Sequence, residues 1–207
     1  MQIEGTEIIP DSRGSVKDKI LSGAQLSIKD LIWYNVGESD NYACDVLLRI
    51  LGGTLKANNY VHKIGVTGIS IATTERVQMS NDSIQYQNWA TPKAMSQLLK
   101  IFYSTNTLSK ESKSILLQNM IQSLPGQKRL KGLLPSETVV AHKTGTAATV
   151  DGLTRATNDA GIITLPNGRH LIITVFISDS YADQTERELT IATISKAAFD
   201  FWGVKNK

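Results

Sequence analysis

Apolar residues recur at helical spacing through the first two thirds of the chain. Between Cys44 and Leu51 they occupy positions i, i+3, i+4 and i+7, and a glycine pair follows. Such a pair supplies the left-handed residue with which many helices end. An earlier stripe predicts a helix over 28–36, and Ser27 followed by Asp30 has the spacing of a capping box at its start.

Three more helices are predicted before residue 123. One covers 55–64, one begins at the cap-and-proline pair Thr91-Pro92, and one covers 109–121. The stretch 70–90 has neither the helical nor the strand period. A long irregular loop inside a compact domain is usually functional, so we expect this loop to carry part of a site.

The period changes after residue 135, where β-rich runs are separated by turn residues. These runs lie at residues 138–142, 161–165 and 171–177. A Pro-Asn-Gly turn separates the last two. An apolar stripe then predicts a final helix from about Gln184 to Gly203.

This order predicts an α/β protein of the α+β type in one folding unit. Residues 1–135 form a mostly helical subdomain with the irregular loop 70–90, and residues 136–207 form three antiparallel strands with a C-terminal helix that covers the sheet. Because three strands and one helix make a thin sheet layer, its second face and at least one edge are expected to be exposed, which favours association through that edge.

Composition and charge exclude several classes of protein. The 22 basic and 19 acidic residues are interspersed and give a net charge of +3, which does not indicate a nucleic-acid surface. No apolar run reaches the roughly 18 residues of a membrane-spanning helix, so membrane insertion is not expected. Residues 1–7 have neither the basic start nor the apolar run of an export signal, and the single cysteine excludes an internal disulfide.

Two polar features in the helical part are candidates for chemistry. Ser39-Asp40-Asn41, the Ser-Asp-Asn motif, stands at a predicted helix start, where short polar side chains cap helices and lie close to solvent. Glu75 lies within the irregular loop, where a carboxylate can act as a general base. Taken alone, each is better explained as a helix cap or a solvated glutamate.

A third candidate is Lys143-Thr144-Gly145-Thr146, the Lys-Thr-Gly-Thr segment, at the end of a predicted strand. The lysine offers a cation, the glycine lets a ligand approach the backbone, and the Thr146 N–H can donate to a developing oxyanion. In isolation, an ordinary strand end would explain the segment.

The order and combination of these features resemble a class A serine β-lactamase, whose signature includes Ser-Asp-Asn and Lys-Thr-Gly. The amino-acid sequence is similar to that of the extended-spectrum cephalosporinase branch of that family, and the resemblance runs over essentially the whole chain. The segments that carry it are 39–45, 85–89, 131–135, 139–146 and 157–159. The resemblance implies a fold of the serine β-lactamase and transpeptidase type.

The resemblance also implies three catalytic roles. Ser39 would relay a proton to the β-lactam nitrogen, and Lys143 would place positive charge near Ser39 and the substrate carboxylate. Glu75 would activate the water that cleaves the acyl-enzyme. Each role responds to charge that develops in the transition state, where a fixed donor or base lowers the barrier.

The implied substrate-binding residues are mostly in the strand region. Asn41 would hold the side-chain amide of the substrate, and Thr144 would hydrogen-bond its carboxylate. Gly145 would allow close approach, and Thr146 would give one oxyanion donor. Arg155 is a candidate partner for the carboxylate, with an ordinary solvated loop arginine as the other interpretation.

The family's nucleophile motif is absent, because no serine in the chain is followed three residues later by lysine. By resemblance, we expect an N-terminally incomplete relative that lacks the signal peptide, the first helix, the first two strands and the nucleophile helix. Two further departures are Met79, where many relatives carry a polar residue that helps hold the hydrolytic water, and the neutral Asn88 at the neck of the loop. Gln78 could hold this water in place of Met79, but the spacing cannot decide it. Asn88 cannot form the ion pair that many relatives have at the neck of the loop, and Thr73 offers it only a hydrogen bond.

Two functions from different classes follow. In the first, the parent enzyme hydrolyses cephalosporins and penicillins through a serine acyl-enzyme, without cofactor or metal, as a monomer in the periplasm or outside the cell. In the second, the chain is a catalytically inactive fragment or a β-lactam-binding interaction module. A penicillin-binding peptidase is a weaker third, because that group does not normally carry Glu75 in this context. The histidines have no spacing for a zinc site.

Overall fold

The computed structural model describes residues 15–21, 25–80 and 83–203. The chain divides into two compact units, Met1–Ala94 and Met95–Lys207. The expectation about an export signal concerns residues 1–7, which lie outside the described part. No helix within the described ranges combines the length and the apolar composition needed to cross a membrane.

Unit 1 contains the three helices that the apolar spacing predicts, and also a short helix over Val16–Leu21 that it does not predict. In the capping box, Ser27 accepts from the Asp30 N–H at 3.1 Å and the Asp30 carboxylate accepts from the Ser27 N–H at 2.8 Å. Gly52 ends the third helix with a φ of 103°. The bounds are α1 Val16–Leu21, α2 Ile28–Gly37, α3 Asn41–Leu51 and α4 Thr54–Lys63.

The loop of unit 1 contains more regular structure than its sequence predicts. Strand β1 (Ile69–Ser70) pairs antiparallel with β2 (Trp89–Ala90) and closes the loop. Between them lie α5 (Glu75–Ser80) and a single 3-10 turn over Ile84–Gln87. Neither short helix buries an apolar stripe, which is why the hydrophobic period does not reveal them.

Unit 2 contains an antiparallel sheet with the helix α8 (Gln184–Gly203) packed on it. The central strand is β5 (Leu153–Thr164), which pairs with β3 (Val140–Thr146) and the short β4 (Thr149–Val150) on one side and with β6 (His170–Ser180) on the other. Leu130, Val140, Ile163, Ile191 and Phe199 form the buried core between sheet and helix. The elements are α6 Pro92–Ser104, which begins just before the division, then α7 Lys110–Ile121, β3 Val140–Thr146, β4 Thr149–Val150, β5 Leu153–Thr164, β6 His170–Ser180 and α8 Gln184–Gly203.

The antiparallel sheet and the bounds of the last helix are confirmed, but the strands are longer than the sequence predicts. The middle strand was expected over 161–165, whereas β5 begins at Leu153 and includes the polar run 157–159. Hydrogen bonds from both neighbouring strands hold this run in the sheet despite the low strand propensity of Asn158 and Asp159. Within the described ranges, β3 and β6 each pair only with β5 and therefore form the two edges.

The secondary structure changes after residue 135 as predicted, but packing groups the helices differently. Helix α7 packs against β3 and lies in the same compact unit as the sheet. The helical part that the sequence predicts to end at 135 therefore includes elements that belong with the strands.

Candidate functional site

The Ser-Asp-Asn motif lies between α2 and α3 and is fastened by its middle residue. Asp40 is 1% exposed, and its carboxylate accepts from Ala43 N at 2.8 Å and from Val16 N at 3.1 Å. Ser39 has a φ of 59°, a left-handed conformation that is uncommon for a residue with a side chain. The buried carboxylate thus holds in place the strained backbone connection that contains Ser39 and leads to Asn41.

Burial raises the pKa of the Asp40 carboxyl, and the backbone N–H groups of Ala43 and Val16 act in the opposite direction. Desolvation disfavours the ionised form, whereas each donated hydrogen bond favours it. The group therefore serves the structure of the motif, because its oxygens face backbone donors inside the unit.

Glu75 is the first residue of α5 and is held from α3. Asp45 accepts from Glu75 N at 2.8 Å through Oδ1 and from Arg76 N at 3.0 Å through Oδ2. Burial raises the pKa of Asp45, while these two N–H groups lower it. Asp45 lies one turn after Asn41, so both side chains project from the same face of α3. Sequence reasoning did not assign a role to Asp45, although this i, i+4 spacing was available.

Helix α5 also contacts the Ser-Asp-Asn motif directly. Asn41 Nδ2 donates to the Met79 sulfur at 3.7 Å, a weak hydrogen bond to a soft acceptor. In unit 1, the structure thus brings Asn41 together with the helix that begins at Glu75. The residue of α5 that contacts Asn41 is Met79, and the role considered for Gln78 stays a prediction.

The neck of the loop is closed by Asn88. Its Oδ1 accepts from Ala72 N at 2.7 Å and Thr73 N at 2.9 Å, and its Nδ2 donates to Thr73 O at 2.9 Å. The sequence predicts that Thr73 offers Asn88 a hydrogen bond in place of an ion pair. The structure confirms this, and the neutral amide makes all three of these bonds to backbone atoms.

The Lys-Thr-Gly-Thr segment forms the end of β3 in unit 2. Lys143 is half-buried and donates through Nζ to Thr144 O at 2.8 Å. Thr144 is buried, Gly145 is half-buried and Thr146 is exposed. A Cβ built on Gly145 would meet only the Asn158 side chain, at 3.7 Å or more. The packing of the protein therefore leaves room for a Cβ here, and the role of Gly145 in letting a ligand approach stays a prediction.

Arg129 holds the end of this segment, and sequence reasoning missed it. Its NH1 donates to Gly145 O at 3.2 Å and to Asn158 O at 2.9 Å, and its NH2 donates to Thr146 Oγ1 at 2.7 Å. Its Nε lies 3.3 Å from Glu188 Oε1, and both charged residues are buried. No local pattern marks this arginine, because Glu188 lies 59 positions away.

Arg155 lies within β5, half-buried, and not in a loop. The strand assignment corrects the interpretation of this residue as a loop arginine. Its role toward a substrate carboxylate stays a prediction.

Comparisons with known proteins agree with this architecture. A model of a β-lactamase enzyme family matches residues 1–202. The chain is 38% identical over 204 residues to β-lactamase VEB-1 of Pseudomonas aeruginosa, covering 98% of this chain and 68% of that protein. It is 40% identical over 185 residues to the extended-spectrum β-lactamase PER-1 of the same species, covering 88% of this chain and 60% of that protein.

A solved structure gives the same result. The crystal structure of TLA-3 extended-spectrum β-lactamase matches with a TM-score of 0.95 at 46% identity, covering 99% of this chain and 75% of that chain. The chain thus spans between 60% and 75% of the length of these three proteins. Because the family model and the fold both match over almost all of the 207 residues, the chain belongs to the β-lactamase enzyme family, among the class A serine β-lactamases.

Proposed function

We propose that the parent enzyme hydrolyses the β-lactam amide of cephalosporins and penicillins through a serine acyl-enzyme, with a nucleophile motif that this chain does not itself contain. The observation that carries the proposal is the arrangement in unit 1, where Asp45 fixes the first turn of α5 at Glu75 and Asn41 contacts Met79 of the same helix. A candidate base and a candidate substrate amide ligand are thereby held on two contacting helices.

In this proposal, Glu75 removes a proton from the water that attacks the acyl-enzyme carbonyl. A general base must be held at a defined place to be effective, and the two N–H bonds to Asp45 hold the backbone from which Glu75 projects. Ser39 passes a proton to the departing β-lactam nitrogen, and Asn41 holds the amide of the substrate's side chain.

The residues of unit 2 supply charge and donors. Lys143 provides the cation for the substrate carboxylate, Thr144 hydrogen-bonds the same group, and Gly145 leaves its approach open. The N–H of Thr146 donates to the oxyanion that forms on the carbonyl. A donor already held in place stabilises this charge without reorganisation, which is the largest catalytic contribution in many acyl-transfer enzymes. Arg155 is a further candidate for the carboxylate.

The second candidate function is a β-lactam-binding protein without turnover. The observation that favours it is the absence from the printed chain of any serine followed three residues later by lysine. An acyl-enzyme needs an activated nucleophile, and removing the nucleophile from serine hydrolases with a catalytic triad leaves only a modest residual rate enhancement.

Intact-protein mass spectrometry of the purified chain, beside hydrolysis of a chromogenic cephalosporin, separates the two. Turnover that Lys143→Ala abolishes supports hydrolysis and would show that another residue of the chain has replaced the missing nucleophile. In that case, Glu75→Gln should accumulate a drug-sized adduct on that residue, because acylation continues while release slows. Folded protein that binds the drug with neither adduct nor turnover supports the second function for this chain. Folded protein that does not bind the drug contradicts the second function, and the chimera described next then decides the first.

The roles of individual residues are tested in a chimera that joins to this chain the Ser-x-x-Lys segment of a class A serine β-lactamase. We expect the chimera to hydrolyse the cephalosporin and Glu75→Gln within it to lose about 10²–10⁴-fold in turnover, the range for a general base. Val77→Ala, on the exposed side of the same helix, is the matched control. Equal loss in both variants would show that the helix is only structurally sensitive.

A further inference from the structure

One buried pair beneath the Lys-Thr-Gly-Thr segment has no part in the roles above. His142 precedes Lys143 on β3 and is 0% exposed. Its Nδ1 lies 3.0 and 2.9 Å from the two oxygens of Asp159, which is also 0% exposed. Because an ionised carboxylate can only accept, Nδ1 carries the hydrogen and donates it to Asp159.

The pair runs diagonally across two strands. His142 stands opposite Gly161, and Asp159 stands opposite Thr144, so the bond joins positions two residues apart in the β3–β5 register. Gly161 makes this possible, because a Cβ there would lie 2.9 Å from the Cβ of His142 and 2.6 Å from Ala141 O. The diagonal bond therefore resists sliding and twisting of β3 where Lys143 and Thr144 begin the segment.

A third stretch of chain is fastened to the same pair. Asp159 Oδ2 also accepts from Leu130 N at 3.2 Å. A Cβ on Gly126 would lie 3.6 Å from Cε1 of His142, so the turn containing Gly126 covers the imidazole ring. Leu130 follows Arg129, whose guanidinium binds Gly145 O. The pair is thus connected to both ends of the segment.

Stability alone is a weak reason for such a pair. A buried carboxylate loses its hydration, and replacing buried ionic or polar pairs by apolar residues of similar volume is often neutral or stabilising. What an apolar pair cannot provide is a directional bond that sets one orientation of the strand. The His142–Asp159 pair therefore favours a role in fixing the geometry of the strand over a purely stabilising role.

We propose that His142, held by Asp159, is a positioning residue that sets the orientation of residues 143–146 for substrate. The inference rests on the proposed function, because it assigns those four residues to substrate contact. It predicts that the Nδ1 donor, and not the volume of the ring, is what the segment requires.

The test compares two replacements of His142 in the full chain. His142→Leu removes the donor, and His142→Asn keeps a nitrogen donor bonded to Cγ, as Nδ1 is. Amide NMR shifts of residues 143–146 and the dissociation constant for a cephalosporin are measured for each. We expect His142→Leu to move the shifts and weaken binding at least about tenfold, the effect of misplacing a hydrogen bond to a charged group. His142→Asn should recover most of both.

Ile191→Val is the control for general loosening, because Ile191 belongs to the same buried core but lies on α8 and not on the strands that pair with β3, so its truncation costs stability and is expected to leave residues 143–146 in place. It should bind the cephalosporin like wild type. Should His142→Leu fail to fold, His142→Gln replaces it: Gln places its donor one carbon farther out and should lose binding that His142→Asn retains. If His142→Leu, or His142→Gln in its place, binds the cephalosporin with the same dissociation constant as wild type, the proposal is overturned.

Failure of the proposed function gives a different result. Wild-type protein would then not bind the cephalosporin, and the amide shifts alone decide the positioning role. Shifts of residues 143–146 that move in His142→Leu and return in His142→Asn support it. Shifts that do not move, or that move equally in both variants, overturn it.

Discussion

Replacing Asn88 by alanine should open the neck of the loop that carries Glu75. The Asn88 amide supplies three hydrogen bonds to the backbone of Ala72 and Thr73, at 2.7 to 2.9 Å. The alanine variant removes all three while leaving the backbone pairing of Ser70 with Trp89 in place. The effect should therefore be local to the loop.

The size of the effect depends on how far water replaces the three hydrogen bonds that Asn88→Ala removes. Each bond contributes about 0.5–1.5 kcal/mol net, and the Ala72 side of the neck is exposed, so water recovers part of the loss. We expect the loop to lose about 2 kcal/mol of local stability, which raises its open population about 30-fold.

Hydrogen exchange of the Ala72 and Thr73 amides, read by NMR, measures this population. Asn88→Ala should accelerate both about 30-fold, and Asn88→Asp should accelerate them less, because its carboxylate still accepts both N–H groups. Gln87→Ala is the control, since Gln87 contributes its backbone carbonyl to Ser70. Exchange in Asn88→Ala within twofold of wild type, with unchanged urea unfolding, would refute the reasoning.

Three other outcomes are expected. Ser27→Ala should lower the free energy of unfolding in urea by about 1 kcal/mol through loss of the capping box, and the pKa of Asp30, now held below its ordinary value by Ser27, should rise in an NMR titration; an unmoved titration would contradict this. Gly126→Ala places a methyl at a φ of 74° where it overlaps the methyl of Thr144, so urea unfolding should show a loss of about 1–3 kcal/mol; an unchanged midpoint would be the contrary result. Burial raises the pKa of the Asp40 carboxyl above 3.8 in the folded protein. The folded state therefore binds this proton more tightly than the unfolded state. The resulting contribution to the free energy of unfolding is complete below pH 3.8 and is lost as the pH rises through the pKa of the folded state. Asp40→Asn should remove that part of the pH dependence of unfolding, and a curve of the same shape as wild type would exclude Asp40 as its source.

The helices could be predicted because their signals are local. Ser27 and Asp30 cap α2 across three residues, Gly52 ends α3 in the left-handed conformation, and α8 begins at Gln184 and ends at Gly203 as its stripe predicts. Each of these interactions lies within a turn or two of chain. A local pattern is therefore sufficient to reveal it.

The extent of the central strand could not be predicted. Residues 157–159 are Thr, Asn and Asp, a polar run in which Asn158 and Asp159 have little strand propensity, yet they lie in β5 between two neighbouring strands. Pairing on both sides satisfies the backbone donors and acceptors of this run. The polar side chains then find partners in the interior, as Asp159 does with His142.

The candidate site divides in the same way. The order of the Ser-Asp-Asn motif, the loop glutamate and the Lys-Thr-Gly-Thr segment can be read from the sequence, and this order indicates the family without the tertiary structure. Which side chains hold these features is decided by folding: Asn41 bonds to Met79 across 38 positions, and Arg129 bonds to Glu188 across 59. Capping and periodicity act over a few residues, whereas a buried polar group must be satisfied by whichever partner the packing brings to it.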